Sequence, residues 1–154
     1  MVISNTSPLN YLVLIDQVHL LSALYDRVLI PRSVYQELTA PETPEVVRSW
    51  VTSAPQWLEV SAFAAAHPVM TELHAGERDA IALAEDLRAD AVIIDERAGR
   101  REAENRQLVV IGTLGVIVMA HERGLVDLSE AIDRLRRTTF HASPKLLATI
   151  LRRL

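Results

Sequence analysis

The chain has no cysteine. Disulfides, thiolate zinc sites and cysteine nucleophiles are therefore excluded. Lysine is almost missing as well: Lys145 is the only one among sixteen cationic side chains. Positive charge is carried by arginine, whose planar fork matches phosphate, although a GC-rich codon bias accounts for the preference equally well. Aromatic residues make up only 5%, which leaves Leu, Val, Ile and Ala to fill a core. Long apolar runs are absent. The most apolar stretch, residues 108–120, is too short for a bilayer and holds two glycines. The N-terminal stretch has no basic residues and is interrupted at Asn5, unlike a signal peptide. A soluble cytoplasmic protein is the expectation. Excess positive charge is also lacking, since sixteen cations against twenty acids give −4. That argues against nucleic-acid binding by global charge and leaves only local arginine clusters.

Half the residues are apolar (49%) and 23% are charged, a balance that argues against disorder. A length of 154 residues suits one domain over 1–154, with segments from about 127 onward as a packing or dimer extension. Short β-branched or Leu-rich runs at 2–4, 28–30, 58–60, 91–94 and 109–111 read as strands covered on both faces. Helical patterns lie between them. Pro8 suits a first helical turn running to Asp16, with Thr6 or Ser7 as N-cap, and Thr113 suits the cap of a helix to Arg123. Helices over about 127–137 and 143–153 complete the chain. This alternation predicts a three-layer α/β/α fold around a mostly parallel sheet, with chemistry beyond the carboxyl ends of the strands. No G-x-x-x-x-G-K-[ST], G-x-G-x-x-G or G-x-S-x-G motif occurs, which disfavours the phosphate loops and the serine-nucleophile elbow.

Acids gather where that rule points. The first strand ends at Asn5, and the fourth ends IIDERAGR, with Asp95 and Glu96. Glu37 lies in PRSVYQEL and Glu77 in HAGERDAIALAEDL. Carboxylates sharing a pocket raise one another's pKa values unless a hard cation joins them, and oxygen ligands suit magnesium or manganese. Each acid also has a plain reading. Glu77 suits a helix start, Glu37 a solvated helix face, and Asp95 the cap of the next helix. Arg97 and Arg101, an i, i+4 pair, suit either RNA phosphates or a solvated face paired with Glu102 and Glu104. Residues 112–115 could present amides to an anion at a helix start. His74 precedes Glu77 by one helical turn, but His19, His67, His121 and His141 show no metal spacing. Arg134, Arg136, Arg137, Arg152 and Arg153 make the last segment basic, and Trp50 and Trp57 suit core or interface anchors.

Taken together, ISNTSPLNYLVLID, PRSVYQEL, GERDAIALAEDLRADAVIIDERAGR and IGTLGVIVMAHERGL resemble the PIN-domain family, metal-dependent ribonucleases that include VapC-type toxins. The resemblance spans residues 1–125. It implies a five-stranded sheet of order 3-2-1-4-5 and a catalytic pocket of Asn5, Glu37, Glu77 and Asp95. Mg²⁺ or Mn²⁺ would sit on Asn5, Glu77 and Asp95, with Glu37 outside the ligand set. Thr6, Arg97, Arg101 and Thr113 would contact the RNA. It further implies a homodimer blocked by a small antitoxin. The family pattern has aspartate where this chain has Asn5, an exchange that keeps an acceptor oxygen and loses a charge. Two readings therefore stand: a ribonuclease, or a PIN-like module that binds RNA or protein without cutting.

Overall fold

Five short strands, β1 (Val2–Ser4), β2 (Val28–Pro31), β3 (Leu58–Ser61), β4 (Ala91–Ile93) and β5 (Val110–Ile111), form one parallel sheet of order β3-β2-β1-β4-β5. The computed structural model describes residues 1–62 and 72–152; His67 and Arg153 lie outside the described residues. Val2 pairs with Val28 on one side and Ala91 on the other, so β1 and β4 end side by side. This is the switch point of a doubly wound sheet, where a crevice opens beyond the strand ends.

Each central strand is buried on both faces, which is why its sequence is apolar without alternation. The alternation is present in space instead. Val2, Val28, Ile30, Ala91 and Ile93 belong to one core cluster, whereas Ile3, Leu29, Val92 and Ile94 belong to a second on the opposite face. The larger cluster is closed by α1 (Thr6–Leu14), α2 (Leu20–Leu24), α3 (Arg32–Leu38), α4 (Glu45–Thr52), α7 (Thr113–Glu122), α8 (Leu128–Arg136) and α9 (Pro144–Leu151). The smaller is closed by α5 (Ala75–Asp86) and α6 (Arg97–Asn105). Burying one such Val, Leu or Ile is worth about 1.5–3 kcal/mol. Trp50 and Trp57 pack on each other with ring centroids 5.7 Å apart, against the larger cluster.

Two helix starts differ from expectation. α1 begins at Thr6 with Asn5 in the N-cap position, so neither Thr6 nor Ser7 caps it. Pro8 sits in the first turn, where an N–H would have no helical partner in any case. α7 begins at Thr113 with Gly112 in the cap position. In contrast, Asp127 and Ser143 cap α8 and α9 through their side chains. Among the described residues, no helix is long and apolar enough to cross a membrane.

Candidate active site

Beyond the ends of β1 and β4 lies a hollow of about 340 Å³ lined by Asn5, Thr6, Ser7, Glu37, His74, Glu77 and Glu96. The Asn5 N–H donates to the Ile93 carbonyl at 2.9 Å, which ties the end of β1 to β4. Its side chain is buried at 2% exposure, and its Oδ1 accepts no hydrogen bond from any described residue. A buried acceptor left alone costs about 1–3 kcal/mol, so this oxygen marks a place that favours a cation or a donor.

Glu77 stands in the first turn of α5 and is 4% exposed. Desolvation, then the charge of Glu96, push its carboxyl up to about 7, against an opposing pull from His74. Glu96 also hydrogen-bonds with it, and Glu37 adds a smaller repulsion. Two carboxyl groups that bond each other must share a proton or a cation. Glu37 is differently placed. Its Oε1 accepts the Gly76 N–H at 3.1 Å and its Oε2 accepts the Thr6 hydroxyl. Both its oxygens are engaged, and it clasps the starts of α1 and α5 together.

Two glycines make this crowding possible. A Cβ on Gly76 would come within 2.7 Å of Glu37 Oε1, and one on Gly99 within 2.8 Å of Glu77 Oε2. Neither glycine carries a signal in the sequence. Glu96 stands there only beside Asp95 at the end of a strand, and His74 lacks a second histidine in register; the structure brings both to the hollow.

Asp95 does not line that hollow. Its Oδ1 accepts the Thr113 N–H and its Oδ2 the Thr113 hydroxyl, each at 2.7 Å. The anion expected at the start of α7 is thus the chain's own carboxylate. Burial raises the Asp95 pKa, opposed by both Thr113 bonds and by Arg100. Thr113 is fully buried and engaged by Asp95, so its expected contact with RNA is not available to it. The parity of the strand explains the exchange. Ile3 and Ile94 face the layer of α5 and α6, so two residues on, Asn5 and Glu96 face the same way while Asp95 faces α7. Counting in twos from the strands would have found Glu96, had the buried strands displayed any alternation.

Arg97, Arg100 and Arg101 lie beside Asp95 and Glu104 around a second space of about 450 Å³. Arg100 Nη1 donates to the Ile94 carbonyl at 3.0 Å. Glu102 pairs instead with Arg106, which also reaches Glu85. Among the described residues neither Arg97 nor Arg101 has an ion-pair partner, and no three carboxylate or imidazole groups close into a ready-made metal cage.

A family model described as a PIN domain matches residues 1–154. No curated protein matches the chain, and no solved structure does. The sheet order and layers agree with that match.

Proposed function

The chain belongs to the PIN-domain family, whose members are generally nucleases that use divalent metal ions, and from this premise we propose that it is a Mg²⁺- or Mn²⁺-dependent endoribonuclease, the toxin of a toxin–antitoxin pair. One observation carries the reading: the partnerless, buried Oδ1 of Asn5 at the floor of a hollow shared with Glu77 and Glu96. The donor set fits a hard dication. Magnesium typically takes one or two carboxylates, keeps several waters and completes its shell with substrate phosphate, so a full protein cage is not required.

In this proposal Asn5, Glu77 and Glu96 hold the ion, in place of the expected set with Asp95. When bound, it would neutralise charge on the phosphate and acidify a water. Phosphodiester hydrolysis joins a water oxygen to phosphorus and breaks one phosphorus–sugar oxygen bond; the water loses a proton and the leaving oxygen gains one. Glu37 holds Thr6 and the Gly76 amide, which keeps Asn5 and Glu77 in register. His74, on the exposed rim, can donate to a phosphate oxygen. Arg97 and Arg101 receive neighbouring phosphates. Asp95 braces α7 through Thr113. A homodimer, a small antitoxin partner and a cytoplasmic location belong to the same proposal, supported by family membership alone.

The test is cleavage of a mixed RNA pool with Mg²⁺, with Mn²⁺ and with EDTA. Cutting should require the ion and should fall at least about 100-fold in Glu77→Gln, the usual scale for loss of a key polar group in a site. Loss of the formal charge at Asn5, with no cage formed, favours a second reading, a module that binds without cutting. That reading wins if wild-type protein and Asn5→Asp both leave RNA intact at millimolar ion.

A further inference from the structure

Further space opens on the Asp95 side of the same sheet edge. Asp95, Arg97 and Arg100 line both the 450 Å³ space and a groove of about 900 Å³ between β5, α7 and the segment leading into α9. The groove falls within the about 300–1,000 Å³ range of small-molecule sites. Its walls include Val118, Met119, Phe140, His141, Leu146 and Ile150. The groove thus combines the guanidinium groups of Arg97 and Arg100 with a mainly apolar wall, and Asp95 and Glu122 also line it; both Asp95 oxygens are taken by Thr113. Phe140 is held in place rather than free to fill the space. It packs edge-to-face on Tyr11 (centroids 5.1 Å apart, planes at 83°), and its N–H donates to Thr138 Oγ1 at 3.1 Å. The Tyr11 hydroxyl bonds in turn to Thr139 Oγ1 at 3.1 Å. Leu146 remains 47% exposed.

We propose that this groove is a nucleobase subsite: one base of the bound RNA lies among Met119, Phe140 and Leu146 while its phosphate rests on Arg97 and Arg100. The inference rests on the hydrolytic reading for its substrate, and it adds that the segment after α8 decides which nucleotide stands beside the cut. The occupant must join a flat apolar body to an anion within one short unit. A nucleotide does both. Bases bind protein through stacking on aromatic faces and guanidinium planes, and apolar walls accept the π-face of any base. Choice among bases comes from their edges, and His141 and Ser143, both lining the groove, offer the polar atoms for it.

Two measurements on the full chain test this. In EDTA, the four nucleoside 5′-monophosphates and inorganic phosphate are titrated while backbone amide shifts are followed. Shifts at Val118, Phe140 and Leu146, absent with phosphate and differing between bases by about fivefold or more in affinity, are the expected result. Shifts confined to Arg97 and Arg100, equal for phosphate and nucleotide, overturn the proposal. So does broadening of the groove signals with protein concentration alone, which would assign the groove to a protein interface. The second measurement sequences the ends of cleaved RNA. A base bias at one position should appear and should flatten in Leu146→Trp, which fills the groove from its exposed side, with KM raised about tenfold, the scale of one missing base stack. No bias, or a bias that Leu146→Trp leaves intact, overturns it. If no RNA is cut under any ion while the nucleotide shifts persist, the hydrolytic reading fails and the subsite stands. If Leu146→Trp does not fold, the wild-type titration decides alone.

Discussion

At Glu77 two local effects oppose each other, and their sizes decide the outcome. A carboxylate in the first turn of a helix gains about 0.3–1 kcal/mol from the backbone dipole. Burial and the neighbouring Glu96 outweigh this and raise the group to about 7, a differential of about 3 kcal/mol against the ordinary carboxylate value. Because the folded state binds the proton more tightly, the contribution is fully present below about pH 4.5 and is lost as pH rises through about 7. Metal-free protein is therefore expected to melt several degrees lower at pH 8 than at pH 5. Glu77→Gln should remove most of that slope; a slope unchanged in the variant would show that Glu77 does not carry it. Asp95, also raised by burial, contributes with the same sign and leaves a residual slope. Asn5→Asp should give a response of two signs. Without cation, a further buried carboxylate lowers the melting temperature. With Mg²⁺, affinity and cleavage both rise, because an ionised oxygen replaces a neutral one. Calorimetric titration measures the first effect and RNA cleavage the second; equal affinity in both proteins would remove Asn5 from the ligand set. Glu37 and Glu77 were legible in sequence, each standing in a recognisable motif. Glu96 was visible only as one of two adjacent acids at a strand end, which look alike until their faces are assigned.

The packing of elements sets the tolerances of the site. α6 crosses so close to Glu77 that Gly99 leaves no room for a methyl group: a Cβ there would also stand 3.1 Å from Ile94 Cγ2. Gly99→Ala is expected to cost about 1–3 kcal/mol, as overpacked positions do. It should also weaken divalent-ion binding, since the carboxylate oxygen is the atom displaced. Unchanged melting and ion affinity would mean that α6 simply moves aside. Helix ends obey a different rule. α1, α5 and α6 each terminate with a residue of positive φ that is not glycine: Asp16 at 58°, Arg88 at 52° and Gln107 at 63°. Leu108 N–H closes the last turn of α6 on the Ala103 carbonyl at 3.0 Å, the bond that requires this conformation. The Gln107 side chain is exposed, so its removal uncovers no core. Gln107→Gly should stabilise the chain by about 0.5–1 kcal/mol through relief of the left-handed backbone. Thermal melting would register that as an increase of a few degrees, and a decrease would contradict it. These ends were hard to see in sequence because, of five glycines, Gly124 marks the end of α7 with φ of 72°, while others such as Gly76 and Gly99 stand at close approaches.

At the scale of the whole molecule, the sheet order brings residues 5, 37, 77 and 96 to one edge, so a ligand there joins several elements at once. A dication bound only by the folded state stabilises by about 2.7 kcal/mol at a hundredfold excess over Kd. For a chain of this size that is about 5–10 °C in melting temperature. Scanning calorimetry with Mg²⁺ against EDTA at pH 7.5 should show it, and coincident melting curves would deny a cation site in the hollow. The sequence by itself determined which runs are strands and helices, since β-branched runs and helical periodicity act over a few neighbours. It also marked the edge where acids collect. Tertiary structure alone decided that Glu96 and not Asp95 meets Glu77, that Thr113 is consumed internally, and that the last segment walls a groove beside the arginines. The physical reason is common to all three. A strand buried on both faces hides its alternation, so the direction of each side chain becomes defined only when a distant partner, Thr113 for Asp95 or Glu77 for Glu96, is folded against it.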